Sequence, residues 1–582
     1  MSDLDHLIRR ATVVDGTGAP AFTADVGLRD GRIAVVAEPG TLAPSAARTR
    51  EDAEGLVLAP GFVDPHTHYD AQLFWDPYAT PSMNHGVTTV AGGNCGFTLA
   101  PLHPDRPEDA DYTRRMMARV EGMALKALEE GVDWSWSSFG EYLDALEGRI
   151  AVNAGFMVGH CALRRYVMGP DAVGGQPTPA QLDAMLALLH DAMDAGAWGL
   201  STTQSTTHSD GAGAPVASRH ARPAELLALA EAVGHHEGTQ LEAIVAGCLD
   251  QFSDDEIDLF VNLSAAAGRP LNWNVLTIDA AVPERVPRQL AASERARAAG
   301  GRIVALTMPI LTPMNMSLGT FCALNLIPGW GEVLGLPVPE RVEKLRDPGV
   351  RAELLRRAHS KEAGVFRRLA DFGRYVIGDT YSPANAGLTG RVVRDIAAER
   401  GQDPFGCLVE ICANDRLRTV LWPMPTDNDP DSWELRRATW EHEDVLLGGS
   451  DAGAHLDRMC GAPYTTRFLG DCLRGRRLVP LERAVRMLSA DPAALFGLRG
   501  RGRIEEGGHA DLVLFDPERV DAGPATLVHD LPGDSPRLDA KAVGVVSVRV
   551  NGVETLRDDV VTGALPGTVL RSGRDTRTVS VK

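Results

Sequence analysis

An apolar run from Leu56 to Val63 leads directly into the segment Asp64-Pro65-His66-Thr67-His68. Such a run is typical of a buried β-strand, and side chains at positions i and i+2 of a strand point to the same side. His66 and His68 can therefore reach the same metal ion through their imidazole nitrogens. A His-x-His pair alone often occurs by chance. Because an apolar strand precedes this pair, we predict a metal site at the end of that strand.

Three more polar residues, Cys95, His160 and Asp451, each come at the end of an apolar run. In a parallel α/β barrel the C-terminal ends of the strands form the active site, so these residues are expected near the histidine pair. Each also has a structural interpretation. Cys95 can be a small core residue, His160 a hydrogen-bonded histidine without a catalytic role, and Asp451 a helix N-cap. Because all three residues lie at predicted strand ends, we favour a role in the active site over the structural interpretations.

The middle of the chain alternates apolar runs with helical patterns, which predicts a parallel α/β fold. We expect residues 59–499 to form a distorted (β/α)8 TIM-like barrel. The predicted strands are 56–63 in part, 87–91, 152–158, 198–201, 239–244, 270–275, 302–306 and 445–449. The predicted helices between them are 180–195, 223–234 and 288–299.

Both ends of the chain contain short alternating strands, such as 7–14 near the start and 510–516 near the end. We therefore expect residues 1–58 and 500–582 to form one small β-sandwich domain together. Two insertions are predicted in the barrel domain. The one near 109–146 has a helical pattern, and the longer one near 311–421 is expected to shape the roof of the substrate pocket.

The composition excludes several classes of partner. The formal net charge is −20 and no dense Lys/Arg run occurs, so nucleic acid and anionic membrane surfaces are not expected partners. The eight cysteines show no regular disulfide framework, which favours a reducing compartment. The first residues are acidic, without the apolar core of a signal peptide, and no apolar stretch is long enough for a membrane span. We expect a cytoplasmic protein.

The motifs resemble the amidohydrolase superfamily and, within it, the N-acyl-D-amino-acid deacylase group. The resemblance is dispersed along nearly the whole chain. The matching stretches are Ala59 to His68, His85-Gly86-Val87-Thr88-Thr89-Val90, Gly93-Asn94-Cys95-Gly96, Val158-Gly159-His160, Gly448 to Gly453, Gly502 to Gly507 and Ala510-Asp511-Leu512-Val513.

This resemblance implies a site and a reaction. His66 and His68 correspond to the family's first metal pair, Cys95 to its unusual cysteine ligand, and Asp451 to its catalytic aspartate. The implied cofactor is zinc, as one or two divalent ions. The implied activity is hydrolysis of a linear amide bond, with removal of the acyl group from N-acyl-(D-)amino acids or related carboxylated amides. Barrel hydrolases of this kind are commonly oligomers, so a homo-oligomer is expected.

The chain departs from the family pattern at two ligands. The deacylases place two further histidines on central barrel strands, but the corresponding stretches here, 239–244 and 271–275, contain no histidine. Glu242 can replace one of them, because a carboxylate oxygen is a suitable zinc ligand; the alternative is an ordinary carboxylate in the barrel interior. His208 and His220, in the loop after the strand 198–201, are the other candidates.

Relatives that bridge two metals with a carboxylated lysine need a lysine at a strand end. None of the five lysines occupies such a position: they are Lys126, Lys344, Lys361, Lys541 and Lys582. A cyclic-amide hydrolase is therefore disfavoured, and it stays open, with deamination, as the alternative reaction. A non-catalytic assembly protein is a third interpretation, which the retained ligand residues argue against.

Our mechanistic hypothesis is metal-assisted hydrolysis of a small-molecule amide. Metal binding lowers the pKa of water towards about 7. Asp451 takes the proton of the water and returns it to the leaving nitrogen. His160 is expected to polarise the substrate carbonyl or anchor a ligand, and Arg164 to pair with the substrate carboxylate.

Overall fold

The structure is a computed structural model that describes residues 3–581. The described chain divides into two units. The smaller unit consists of Asp279–Ala281 and Pro313–Trp433, and the larger unit contains the rest of the described chain. Across residues 3–581, no helix is both long and apolar enough to cross a lipid bilayer.

A nine-stranded sheet in the larger unit takes strands from both ends of the chain. Its strands lie in the order Val560–Val561, Val553–Arg557, Val545–Val550, Leu512–Phe515, Val57–Pro60, Leu4–Val13, Phe22–Arg29 and Arg32–Ala37, with Ala47–Asp52 paired to Leu4–Val13. The two ends meet where Leu512–Phe515 pairs antiparallel with Val57–Pro60. Ile8, Leu58 and Leu512 belong to one buried cluster. The two chain ends therefore share one hydrophobic core.

The apolar run 56–63 is divided between two sheets, which corrects the expectation of one strand. Val57–Pro60 belongs to the nine-stranded sheet, and Phe62–Asp64 pairs in parallel with Val87–Gly92. Gly61 separates the two, and a Cβ atom there would lie 2.2 Å from Thr88 Oγ1. Only glycine allows the chain to pass this close to Thr88.

Two parallel sheets form the middle of the larger unit. The three-stranded sheet has the order Phe62–Asp64, Val87–Gly92 and Asn153–Phe156. The six-stranded sheet has the order Val445–Leu447, Arg302–Thr307, Pro270–Trp273, Gln240–Val245, Gly199–Gln204 and Val158–Gly159. A parallel bridge also joins Thr67 to Ala452. All residues of Val87–Gly92 are buried, as expected for a parallel strand covered on both faces.

Helices connect the parallel strands, and several begin at clear sequence signals. Thr178 and Gln181 form a capping box at the start of Pro179–Asp194, and Ser253 and Glu256 form one before Asp254–Ala267. The remaining α-helices of the larger unit are Thr80–Met83, Glu108–Val120, Leu125–Glu130, Phe139–Leu146, His160–Met168, Pro223–Gly234, Arg285–Ala298, Tyr464–Leu473, Leu481–Leu488 and Ala490–Leu495. The helix Pro430–Thr439 begins in the smaller unit and continues into the larger one.

The smaller unit has its own hydrophobic core. Trp330, Phe372 and Phe405 are buried in one cluster, and the rings of Phe372 and Phe405 stack with centroids 4.4 Å apart. Its other α-helices are Trp330–Leu334, Val338–Arg346, Pro348–Ala358, Val393–Arg400 and Pro404–Asn414, and its strand pair is Tyr375–Ile377 with Leu421–Pro423. Two short pairs complete the larger unit: Asp521–Ala522 with Ala542–Val543, and Thr526–Leu531 with Ser535–Asp539.

Candidate metal centre

The His-x-His segment is fixed by backbone hydrogen bonds on both sides. The N–H of Thr67 donates to the carbonyl of Ala91 at 2.9 Å, and the N–H of His68 donates to the carbonyl of Ala452 at 2.7 Å. His66 and His68 are both completely buried. Their ring centroids lie 5.3 Å apart with the planes at 74°. Both imidazoles therefore point into the same interior space.

Cys95 joins this pair from the loop after Val87–Gly92. Its Sγ lies 3.5 Å from His66 Nε2. The backbone of Cys95 is left-handed, with φ of 56°, a conformation that costs free energy for any residue with a Cβ and is often found at functional sites. The ligand atoms of His66, His68 and Cys95 all lie within 4.8 Å of one another. We call these three residues the metal-binding constellation, because their ligand atoms lie close enough together to hold one ion.

Asp451 lies against both histidines. Its Oδ1 is 3.3 Å from His66 Nε2 and 3.3 Å from His68 Nε2, and its side chain is 23% exposed. The residue has φ of 59° and begins no helix, because the next helix is Tyr464–Leu473 with Pro463 as its N-cap. The helix-cap interpretation of Asp451 is therefore excluded.

Asp64 is hydrogen-bonded to the turn that contains Asp451. Its carboxylate accepts a hydrogen bond from the hydroxyl of Ser450, the residue before Asp451. Asp64 is completely buried, and burial raises its pKa to about 6 although the hydrogen bonds from Ser450 and His66 lower it. Asp64 thus connects the segment that carries His66 and His68 to the loop that carries Asp451.

Glu242 contacts the cysteine loop. Its Oε2 accepts a hydrogen bond of 2.8 Å from the backbone N–H of Cys95, while its buried Oε1 has no hydrogen-bond partner. Burial raises the pKa of Glu242 to about 8. Glu242 lies next to the metal-binding constellation, but the group of mutually close ligand atoms contains only His66, His68 and Cys95 among the described residues. Its role as a ligand stays a prediction.

Two more buried carboxylates near His68 were missed by the sequence reasoning. Glu121 is 2% exposed, and its Oε2 lies 3.5 Å from His68 Nε2. Asp70 is completely buried, and its Oδ2 accepts a hydrogen bond from the N–H of Gly93 at 3.2 Å. Asp70 was detectable as the next alternate residue after His66 and His68. Glu121 comes from the helical segment 109–146 and carries no motif that would have identified it.

The charges in the site act on the histidines in opposite directions. Burial lowers the pKa of His66 although the nearby carboxylate of Asp451 raises it. For His68, burial also lowers the pKa, but the carboxylates of Glu121 and Asp451 outweigh it and raise the pKa to about 9. Burial raises the pKa of Asp451 too, yet its close contacts with the imidazoles of both histidines bring the pKa well below the usual range. Asp451 is therefore a carboxylate at neutral pH.

These residues fit a divalent metal ion. His66 Nδ1 and both ring nitrogens of His68 are buried without a hydrogen-bond partner, and buried polar atoms normally have partners. Imidazole nitrogen, thiolate sulfur and carboxylate oxygen are the ligands that zinc takes in proteins. Burial raises the pKa of the Cys95 thiol well above its usual value, so a cation is needed to hold Cys95 as a thiolate. His66, His68, Cys95 and Asp451 supply nitrogen, sulfur and oxygen donors of the kinds that zinc takes.

His160 and Arg164 lie in a separate buried network. His160 Nε2 is 2.9 Å from Glu225 Oε1, and Arg164 NH1 donates to both oxygens of Glu225, at 2.7 and 2.6 Å. Arg164 NH2 also donates to the carbonyls of Ala172 and Gly175. Both side chains are completely buried. Their role in substrate binding stays a prediction, and it requires that contacts with Glu225 be exchanged for contacts with substrate.

His208 and His220 differ in their surroundings. His208 Nδ1 is 2.9 Å from Thr203 Oγ1, and its ring lies 5.3 Å from that of Phe97. Burial, together with the charges of His455 and His68, lowers the pKa of His208 to about 3, so its imidazole is neutral. His220 ends the 3-10 helix Ala217–His220, and its Nε2 is buried without a partner. Neither belongs to the metal-binding constellation.

Comparisons with known proteins show the family to which the chain belongs. Residues 50–560 match the model of the amidohydrolase family. The D-aminoacylase of Alcaligenes xylosoxydans xylosoxydans is 31% identical over 97% of this chain and 97% of its own length. A D-aminoacylase structure solved to study the functional role of its binuclear metal centre is 28% identical, with a TM-score of 0.64 over 98% of this chain and 100% of that one.

A second solved structure is the N-acyl-D-glutamate deacylase of Bordetella bronchiseptica, in complex with zinc and a phosphonate inhibitor that mimics the tetrahedral intermediate. It is 26% identical, with a TM-score of 0.64 over 98% of this chain and 100% of that chain. The family model covers most of the sequence, and the similarity to D-aminoacylase spans almost the whole of it. The chain therefore belongs to the amidohydrolase family.

Proposed function

We propose that this protein is a metal-dependent hydrolase of C–N bonds that removes the acyl group from N-acyl-D-amino acids. The observation that carries the proposal is the convergence of the ligand atoms of His66, His68 and Cys95 within 4.8 Å, beside the carboxylate of Asp451. The similarity to D-aminoacylase over 97% of both chains supports the same reaction class.

The proposed cofactor is zinc, bound as one or two ions by His66, His68, Cys95 and Asp451, with Glu242 in place of a missing histidine. A bound zinc ion supplies Lewis acidity and lowers the pKa of water to about 7. The free Oε1 of Glu242 supports its assignment, because a buried carboxylate oxygen without a hydrogen bond is available to a cation.

In this proposal Asp451 is the general base and then the general acid. Its carboxylate is ionised at neutral pH, since the nearby imidazoles of His66 and His68 keep its pKa low. Its 23% exposure leaves the carboxylate accessible to water and substrate. Asp451 takes a proton from the attacking water and delivers it to the amide nitrogen as the C–N bond breaks.

We also propose that the two parallel sheets form one closed eight-stranded (β/α) barrel. The strands Asn153–Phe156 and Val158–Gly159 follow each other in the chain and lie in different sheets. We count them as one interrupted strand, so that the nine strands of the two sheets make eight. The bridge between Thr67 and Ala452 supports closure at the other side. The proposed domains are a barrel of residues 59–499 and a small β-sandwich of residues 1–58 and 500–582, supported by the core that the two chain ends share. A homo-oligomer and a cytoplasmic location stay predictions.

The reaction is tested with protein whose metal is removed by a chelator and then restored with zinc. We expect the zinc form to hydrolyse N-acetyl-D-amino acids in preference to their L-isomers and to leave cyclic imides unchanged. Asp451→Asn is expected to lower kcat by about 100-fold or more, the range for loss of general acid–base catalysis. Near-full turnover by Asp451→Asn with zinc still bound would show that the mechanism is wrong.

A further inference from the structure

We infer that Glu121 is a metal ligand that binds the same ion as His68. This inference rests on the proposed function, because it assumes that a divalent ion is bound at the constellation. Glu121 lies outside the strand ends, and its carboxylate adds an oxygen ligand to the proposed site. The central strands of this chain lack the two histidine ligands that the resemblance implies.

The distances around His68 match those between ligands of one ion. Two nitrogen or oxygen ligands of a tetrahedral zinc ion, each about 2.0–2.2 Å from the metal, lie about 3.3–3.5 Å apart. His68 Nε2 is 3.5 Å from Glu121 Oε2 and 3.3 Å from Asp451 Oδ1. Both distances from His68 Nε2 are those expected between two ligands of one ion.

A direct hydrogen bond does not explain the Glu121 contact. Protein N–H···O hydrogen bonds have donor–acceptor distances of about 2.7–3.2 Å, whereas Glu121 Oε2 lies 3.5 Å from His68 Nε2. His68 Nε2 is buried and has no hydrogen-bond partner. The nitrogen is therefore free to bind a cation, and Glu121 is positioned to share it.

The charges of the site also call for a cation there. Glu121 and Asp70 are buried on the His68 side, and Asp451 contacts the same imidazole. The ion pairs described for Glu121 and Asp451 are with histidines. Three carboxylates, two of them buried, thus lie around one imidazole. A divalent cation is a suitable partner for such a group of carboxylates.

Glu121 is held in place by its backbone. It follows the helix Glu108–Val120, and its carbonyl accepts a hydrogen bond from the N–H of His455. The next residue, Gly122, has φ of 59°, and a Cβ there would lie 3.2 Å from His455 Cα. The segment 109–146 is thus fixed against the loop that carries Asp451, which keeps the Glu121 carboxylate beside His68.

The test measures metal binding rather than turnover. Wild type, Glu121→Gln, Glu121→Asp and the control Glu129→Gln are prepared without metal, and zinc affinity and stoichiometry are determined by chelator competition and elemental analysis. The cobalt(II) forms are compared by visible absorption, which reports the ligand set. Glu129 is an exposed residue of the helix Leu125–Glu130, so its substitution matches the change of charge. Circular dichroism checks that each variant is folded.

We expect Glu121→Gln to lose one ion or to bind it at least about 10-fold more weakly, a loss within the range for disturbed metal sites, with changed cobalt bands. Glu121→Asp, which keeps the carboxylate, is expected to recover part of the affinity, and Glu129→Gln to behave as wild type. Wild-type affinity and cobalt bands in folded Glu121→Gln would overturn the Glu121 assignment and leave the proposed function intact. A wild type that binds no metal would overturn both.

Discussion

At the scale of single residues, the cysteine and its neighbour Glu242 have different expected effects on the metal. Cys95 offers sulfur directly to the constellation, 3.5 Å from His66 Nε2. Glu242 Oε2 accepts a hydrogen bond from the backbone N–H of Cys95, and Glu242 Oε1 has no hydrogen-bond partner. Substitutions at the two positions therefore separate a ligand from a residue that positions the ligand loop.

We predict that Cys95→Ala removes about one zinc ion per chain, because alanine offers no ligand atom. Glu242→Gln keeps a hydrogen-bond acceptor for the Cys95 N–H but loses the anionic oxygen. If Glu242 is a ligand, elemental analysis of Glu242→Gln will also show a lower zinc content. A content that stays at the wild-type value would restrict Glu242 to positioning Cys95.

Glu51 is a carboxylate with a lowered pKa, on the strand Ala47–Asp52 of the sheet made by the two chain ends. Burial raises the pKa of Glu51, but the hydrogen bond with His6 and the charges of Arg549 and Arg557 outweigh it and lower the pKa from 4.5 to about 2. A carboxylate whose pKa is lower in the folded state stabilises the fold above its unfolded pKa. That stabilisation is lost as the pH falls through the folded value.

We therefore expect Glu51→Gln to lower the free energy of unfolding at pH 7 by about 1–2 kcal/mol. The difference from wild type should shrink between pH 4.5 and about 2, the window set by the two pKa values. Denaturant unfolding at several pH values measures it. Glu54→Gln is the control, since the Glu54 side chain is 69% exposed and a change within about 0.5 kcal/mol is expected there. A difference that does not depend on pH would contradict the assignment.

At the scale of elements, Gly61 is the position where one apolar run becomes two strands. A Cβ at this residue would lie 2.2 Å from Thr88 Oγ1 and 2.3 Å from Thr88 Cγ2. Because Thr88 belongs to the strand Val87–Gly92 that carries the cysteine loop, a shift of Thr88 also moves the ligand loop. Packing at Gly61 is therefore coupled to the metal-binding constellation.

We predict that Gly61→Ala lowers the free energy of unfolding by about 1–3 kcal/mol, the usual cost of overpacking a core. Zinc affinity should fall as well. Gly61→Ala with Thr88→Ala removes the two nearest clashing atoms, Oγ1 and Cγ2, and leaves only Thr88 Cβ at 2.7 Å. The double variant should recover part of both losses, measured by thermal unfolding and chelator competition. A double variant no better than Gly61→Ala would show that the clash with Thr88 is not the cause.

The parallel strands and several helices were predictable from the sequence because hydrophobic period and turn residues set them locally. The helix predicted over 223–234 is Pro223–Gly234 in the structure, and the strand predicted over 302–306 is Arg302–Thr307. The division of 56–63 was missed, because it depends on the packing of Thr88 against Gly61 rather than on any local pattern. Glu121 was missed for the same kind of reason. Its position beside His68 arises from contacts between distant segments.

At the scale of the whole molecule, metal binding is expected to stabilise the folded chain, because the constellation takes ligands from separate segments of the sequence. A ligand that binds only the native state at about 1,000 times its Kd adds about 4 kcal/mol to the free energy of unfolding. We predict that removal of metal lowers Tm and that zinc restores it. Calorimetry should show a much smaller shift for Cys95→Ala. An equal shift in that variant would place the stabilising ion elsewhere.

The pairing of Leu512–Phe515 with Val57–Pro60 has a consequence for biosynthesis. A ribosome adds about 5–20 residues per second, so the early strand waits on the order of tens of seconds for its partner. During that time Val57–Pro60 has an unpaired edge, which is a template for association with other nascent chains. The sheet is completed only when the late strand emerges, so we expect protection of the first strands during translation to increase the yield of folded protein.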